Sequence, residues 1–392
     1  LLYHGGPMMS TQKTGDKVVV TPIFWEPPGL EMTASYKSVI TTYLQGLAAD
    51  SGKLSNVFSS MYQYSGSNGA INYKMKIGTP ISDTTALPAD GCTLQAGDTT
   101  DIYADATGYS HCLDDDQVIA ETDGVVSAHG LPSDLGHLYV TFLPKHVESC
   151  FYPGATNTNT NFCTLNHQLS AAYCAYHSMA DSGTVYANMP FPAYLSGTNY
   201  SCTKESLGGG GPQIQSPNGD TDADVEISPL SHEMAEAITD PDVNTGWWDS
   251  SGNENGDDCA YIYGTLSGTA GALYNQTVHG KHYLTQEEFS NKDFVANKSG
   301  CIQHTKAVKP VLKSLSKHHG SHKGGSHITI KGKGFPGAKA VHFGKKKAKF
   351  TVLDASHISV KVPKHSKGKV DVRVTTAAGK SKTTKADRYT YK

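Results

Sequence analysis

Apolar residues change their rhythm near residue 305, and the change divides the chain into two parts. Upstream, residues 17–25 form a near-continuous apolar run suited to a buried strand. Pro22 within it argues for an edge position or a bulge, because proline donates no ladder hydrogen bond. Between residues 35 and 48, Tyr36, Val39, Ile40, Tyr43, Leu44 and Leu47 recur at helical spacing and predict an amphipathic helix lying on a sheet. Residues 138–143, stopped by Pro144, and 184–189, ended by Pro190 and Pro192, read as further strands. Residues 80–135 and 196–222 read as loops, and loops of that length are expected to be functional or cross-linked. Strands interleaved with helices predict an α/β (α+β) domain over residues 1–304.

Downstream of residue 309 the pattern becomes one of short alternating stretches, at 326–330, 340–343, 357–362 and 370–374, punctuated by glycine and proline. That texture predicts a β-sandwich over residues 309–392. Pro310, residues 330–335 (IKGKGF), 341–344 (VHFG), 360–363 (VKVP), Gly379 and residues 389–391 (YTY) follow one another as in an IPT/TIG domain, which this segment resembles. The resemblance implies an immunoglobulin-like accessory module for binding or spacing, without catalysis.

Charge sharpens the division. Residues 305–392 hold 22 of the 33 Lys and Arg and three of the 36 acids, a net of +19, so the remainder carries −22 within an overall −3. The basic part is expected to be drawn to polyanions, an anionic cell-surface polymer before nucleic acid. No apolar run approaches the roughly 18 residues of a membrane-spanning helix, and the first residues carry neither a charged leader nor an apolar signal core. Eight cysteines, all before residue 302 and without a CxxC pair, read as disulfides of an oxidising compartment rather than a zinc cluster.

The chemistry concentrates in residues 224–241. Ser228 suits an N-cap and Pro229 a first helical position, so a helix is expected to begin there and to stop before Pro241. His232 and Glu236 then stand one turn apart on one face, where an imidazole and a carboxylate can grip one cation, and Glu233 can act as a general base on water. Residues 246–259 follow, an acidic loop in which Glu254 is the first choice and Asp257 the second for a further ligand. The same dense oxygens can instead hold calcium. His129, His137, His167 and His177 are weaker candidate ligands. GxSxG, P-loop and dinucleotide fingerprints are missing.

The H-E-M-A-E segment resembles the zincin motif HExxH with glutamate in place of the second histidine. Together with residues 3–7 (YHGGP), 174–178 (CAYHS), 223–225 (ADV), 231–241 (SHEMAEAITDP), Glu254, Gly256, Asp257 and Cys259, it makes residues 1–304 similar to the secreted, phosphate-induced Exordium-like family. That resemblance implies a zincin-like fold and an extracellular protein. The expectation is a secreted zinc-dependent metallopeptidase-like protein acting on a peptide or protein substrate. Its alternative is a non-catalytic extracellular binding or signalling protein with a structural ion.

Overall fold

The computed structural model describes residues 1–15, 17–96, 99, 107–157, 162–164, 173–192, 215–295 and 299–392. The frame of the N-terminal part consists of β1 (Val18–Trp25), α1 (Ala34–Ala49), β2 (Met75–Ile77), β3 (Ile81–Asp83), α2 (Asp115–Ala128), β4 (His137–Phe142), β5 (Tyr176–Met179), β6 (Val185–Met189) and α3 (Thr221–Thr239). The sheet order is β5-β6-β4-β1-β2, with β3 also on β1. All pairs are parallel except β5 with β6, so β5 is an antiparallel edge strand.

β1 is central, not an edge strand, which corrects the expectation from Pro22. The sheet accommodates the proline by interrupting its neighbour. Val20 faces Ile77 of β2, Ile23 faces Ile81 of β3, and Pro22 falls in the gap between them. Its missing donor therefore costs no ladder bond on that side. Gly78 closes the gap by donating to the Val20 carbonyl at 2.8 Å.

α1 matches its predicted span to within a residue at each end. Thr33 caps it, accepting from the Tyr36 amide at 3.1 Å, and Tyr36, Ile40, Tyr43, Leu44 and Leu47 are buried. α2 lies in the segment read as loop. Asp114 and Gln117 form a reciprocal capping box at its start, and Val118, Thr122, Val125 and Val126 bury one stripe. The helix was hidden by the polar residues around that stripe. Residues 196–214 of the second expected loop, and His167 and Cys202, lie outside the described residues.

Glu121 of α2 stands beside Asp83 of β3. Burial first, then the Asp83 hydrogen bond and charge, push Glu121 up to about 8. The folded protein thus keeps a proton that the unfolded chain releases near pH 4.5, so this pair's contribution to stability falls as pH rises from about 4.5 to about 8. Glu121→Gln keeps a donor for Asp83 and removes the penalty. Thermal melts should show the variant unchanged at pH 4 and more stable above pH 8, by on the order of 1 kcal/mol after solvent screening.

Three disulfides join described residues: Cys92–Cys112, Cys150–Cys163 and Cys259–Cys301. Cys174 is also disulfide-bonded. Among the described residues no helix is long and apolar enough to cross a membrane.

The C-terminal part is built from β7 (Val311–Leu315), β8 (His327–Lys333), β9 (Ala340–Phe343), β10 (Lys346–Asp354), β11 (His357–Lys361), β12 (Gly368–Thr376) and β13 (Arg388–Tyr391), paired in the order β7-β8-β11-β10-β9-β12-β13. β10 pairs with β9 as far as Ala348 and with β11 from Lys349 onward, passing from one sheet of the sandwich to the other. Ile330, Val341, Phe343, Ile358, Val360, Val372, Val374 and Tyr389 fill its core, every one of them fully buried. The alternation seen in sequence places these residues inward and the lysines outward.

Candidate metal centre

α3 begins at Thr221, well before the predicted start. Asp220 is the cap, accepting from the Ala223 amide at 3.0 Å, while Ser228 accepts from the Gln286 amide at 3.0 Å. Pro229 therefore sits inside the helix. An interior proline costs about 3 kcal/mol. Ile227, Leu230, Met234 and Ile238 are buried, each contributing about 1.5–3 kcal/mol, so packing outweighs the break. The helix ends at Thr239, before Pro241, as expected.

This buried helix carries acids inward. Glu233 and Glu236 are each 4% exposed. His232 Nε2 stands 3.1 Å from Glu236 Oε1 and 3.9 Å from Glu233 Oε1. The acidic loop folds back over the same face: the amides of Gly256 and Asp257 donate to Glu236 Oε1 at 3.1 and 3.0 Å, and Asp257 Oδ1 lies 3.4 Å from His232 Nε2. The approach is so close that a Cβ on Gly256 would stand 2.8 Å from both Glu236 Oε1 and His232 Nδ1. Gln286 Nε2 donates to the Gly256 carbonyl at 2.7 Å, and Asn255 Nδ2 to Thr239 Oγ1 at 2.8 Å, which holds the loop down.

His177 enters from the edge strand β5. Its Nδ1 is 3.2 Å from Glu233 Oε2 and 3.8 Å from Glu236 Oε2. Its Nε2 donates to the Asp240 carbonyl at 2.8 Å and is 3.8 Å from Glu254 Oε1, a buried oxygen with no hydrogen-bond partner among the described residues. Glu288, fully buried, likewise has both carboxylate oxygens unpartnered there.

The electrostatics follow from this crowding. Burial opposes a charge on either imidazole, yet the carboxylates outweigh it. Glu236, Asp257 and Glu233 hold His232 well above the usual histidine range, and Glu254, Glu233 and Glu236 raise His177 to about 10. Burial pushes Glu254 and Glu288 well up. Burial also opposes ionisation of Asp257, but His232 overcomes it and holds that carboxyl below its ordinary value.

His232, Glu236 and Asp257 thus offer three donor atoms within 4.8 Å of one another, and His177, Glu233 and Glu236 offer three more. Glu254 belongs to neither triad and lies behind His177. Donors bound to zinc at about 2.0–2.2 Å in a tetrahedron stand roughly 3.3–3.6 Å apart. The spacings about His232, 3.1 and 3.4 Å, are close to that range. The imidazoles favour zinc or a similar transition ion over calcium, which takes oxygen ligands. Of the histidines weighed from sequence, His129 ends α2 and His137 pairs with Asp134 at 2.7 Å. His177 comes from a distant strand, and only tertiary packing reveals its place.

A disulfide-linked α/β domain with a buried His/Glu/Asp cluster, joined to a basic β-sandwich, is the class of protein that these features define. The chain belongs to the family of the phosphate-induced protein 1 conserved region, which it matches over residues 1–296, and residues 310–391 match the IPT/TIG domain. It is 28% identical over 128 residues to protein EXORDIUM-like 5 of Arabidopsis thaliana, covering 29% of this chain and 34% of that protein, so the match spans about a third of the relative's length. Slight structural likenesses include SGBP-B from a complex xyloglucan utilization locus in Bacteroides uniformis (15% identity, TM-score 0.19, 28% of this chain and 26% of that one). Another is the plexin A4 extracellular region (15% identity, TM-score 0.21, 31% and 11%). The disulfides are those of an oxidising compartment.

Proposed function

We propose that the protein is a secreted zinc-dependent hydrolase of the metallopeptidase kind, with His232, Glu236 and Asp257 holding the ion. The convergence of those three side chains carries the reading. A zinc ion in such a set acts as a Lewis acid and activates water near neutral pH. Glu233, with Oε1 3.9 Å from His232 Nε2, is the carboxylate placed to take a proton from the attacking water. His177 fixes the orientation of Glu233 by donating to its other oxygen at 3.2 Å. Glu236 is oriented by two backbone amides, which leaves its charge directed at His232. Asp257, with its side chain 44% exposed, is the donor on the solvent side. The basic IPT/TIG domain serves to hold this domain on an anionic surface, through its net charge of +19.

Purified full-length protein should retain zinc, cleave members of a broad peptide library, and lose cleavage on chelation. Glu233→Gln should lower the rate about 10²–10⁴-fold. Zinc retained without any cleavage by the wild type would sink the hydrolase reading in favour of a structural ion in a binding or signalling protein. The absence of zinc would sink both.

A further inference from the structure

The donors that the first centre does not use are arranged as a second one. We infer that the protein binds a pair of divalent cations, the second held by His177 Nδ1, Glu233 and Glu236, with Glu236 bridging the two. The inference rests on reading His232, Glu236 and Asp257 as a metal site.

His177 is oriented for the role. A carbonyl only accepts, so the 2.8 Å contact from Nε2 to the Asp240 carbonyl keeps a proton on Nε2, and Nδ1, which donates to Glu233 while no ion is bound, is the nitrogen that would release its proton to an ion facing Glu233 and Glu236. A backbone carbonyl that orients the distal nitrogen in this way is the usual support of a metal-bound histidine. The spacings from Nδ1, 3.2 Å to Glu233 Oε2 and 3.8 Å to Glu236 Oε2, suit ligands around one ion.

The two carboxylates each face both imidazoles. Glu236 presents Oε1 to His232 at 3.1 Å and Oε2 to His177 at 3.8 Å, while Glu233 presents Oε1 to His232 at 3.9 Å and Oε2 to His177 at 3.2 Å. A carboxylate whose two oxygens address two separate nitrogens is arranged as a bridge.

Charge points the same way. The three carboxylates of the two triads, Glu233, Glu236 and Asp257, carry a formal charge of −3 when ionised, beside two imidazoles that are neutral when they ligate. One divalent ion leaves a net −1 on this largely buried cluster, and a second offsets it. A set of two imidazoles and three carboxylates suits zinc, manganese or iron. Under this arrangement Glu233 would ligate through Oε2, on the His177 side, and keep Oε1, on the His232 side, as the base of the proposed reaction.

The test is metal stoichiometry on the full chain, stripped with chelator and dialysed against zinc chloride or manganese chloride. The wild type should take up two ions per chain and His177→Ala one, and the manganese form of the wild type should give an exchange-coupled paramagnetic resonance spectrum. One ion per chain in the wild type, with an isolated six-line manganese signal, overturns the second site and leaves the first standing. Two ions without exchange coupling overturn the bridge. No ion in any form removes both sites. The wild-type measurements decide the matter even if His177→Ala fails to fold.

Discussion

Gly256→Ala should fold normally and lose metal affinity by at least about 10- to 100-fold, the effect of disturbing the groups that orient a ligand. Gly256 has φ −75°, a conformation open to any residue, so the substitution introduces no backbone strain. Its whole effect arises from contact. The new methyl would stand 2.8 Å from Glu236 Oε1 and 2.8 Å from His232 Nδ1, well inside van der Waals separation, and both atoms belong to proposed ligands. The amide of Gly256 also donates to Glu236 Oε1, so moving the loop outward to relieve the clash loosens that bond. Zinc titration by calorimetry measures the loss, and a thermal melt of the metal-free variant checks that the fold is intact. Unchanged affinity would mean that the ion, if bound, lies away from this face of α3.

Replacing both Cys259 and Cys301 with serine should cost about 4 kcal/mol of stability, the loop-closure term for a cross-link spanning 42 residues. For a domain of this size the melting temperature should drop by roughly 10 °C. Cys259 ends the short helical turn that begins with Asp257, and Cys301 lies in a two-residue strand paired with Glu288–Phe289. The cross-link therefore ties the acidic loop to the segment that contains buried Glu288. Melts of oxidised wild type and double variant, with and without zinc, separate the two contributions. A drop confined to the zinc-loaded form would show that the disulfide acts only through the metal loop.

Sequence reading recovered the parts whose signal is local. The stripe from Tyr36 to Leu47 places α1, and the runs at 138–143 and 184–189 place β4 and β6. The alternation from residue 326 onward places the sandwich. It misplaced elements wherever tertiary packing overrode a local rule. Pro22 stands in a central strand because the neighbouring strand is split around it, and Pro229 is carried inside α3 because so much apolar surface is buried on either side. α2 was overlooked because its four buried residues are interspersed with acids, although the Asp114–Gln117 cap was present to be read. In the site, His232, Glu233 and Glu236 were legible from their spacing on one helix. Of the two loop candidates, Asp257 lies within reach of His232 and Glu236, and Glu254 lies nearer His177. Nothing in the spacing of residues announces that His177, on an edge strand, closes the cluster.

The two amide donors to Glu236 fasten the acidic loop directly to the helix that bears the histidine. Neither partner can swing away without leaving a buried carboxylate oxygen unpaired, so loop and helix hold this arrangement without any ion. An ion that bound there would find its donors already in position.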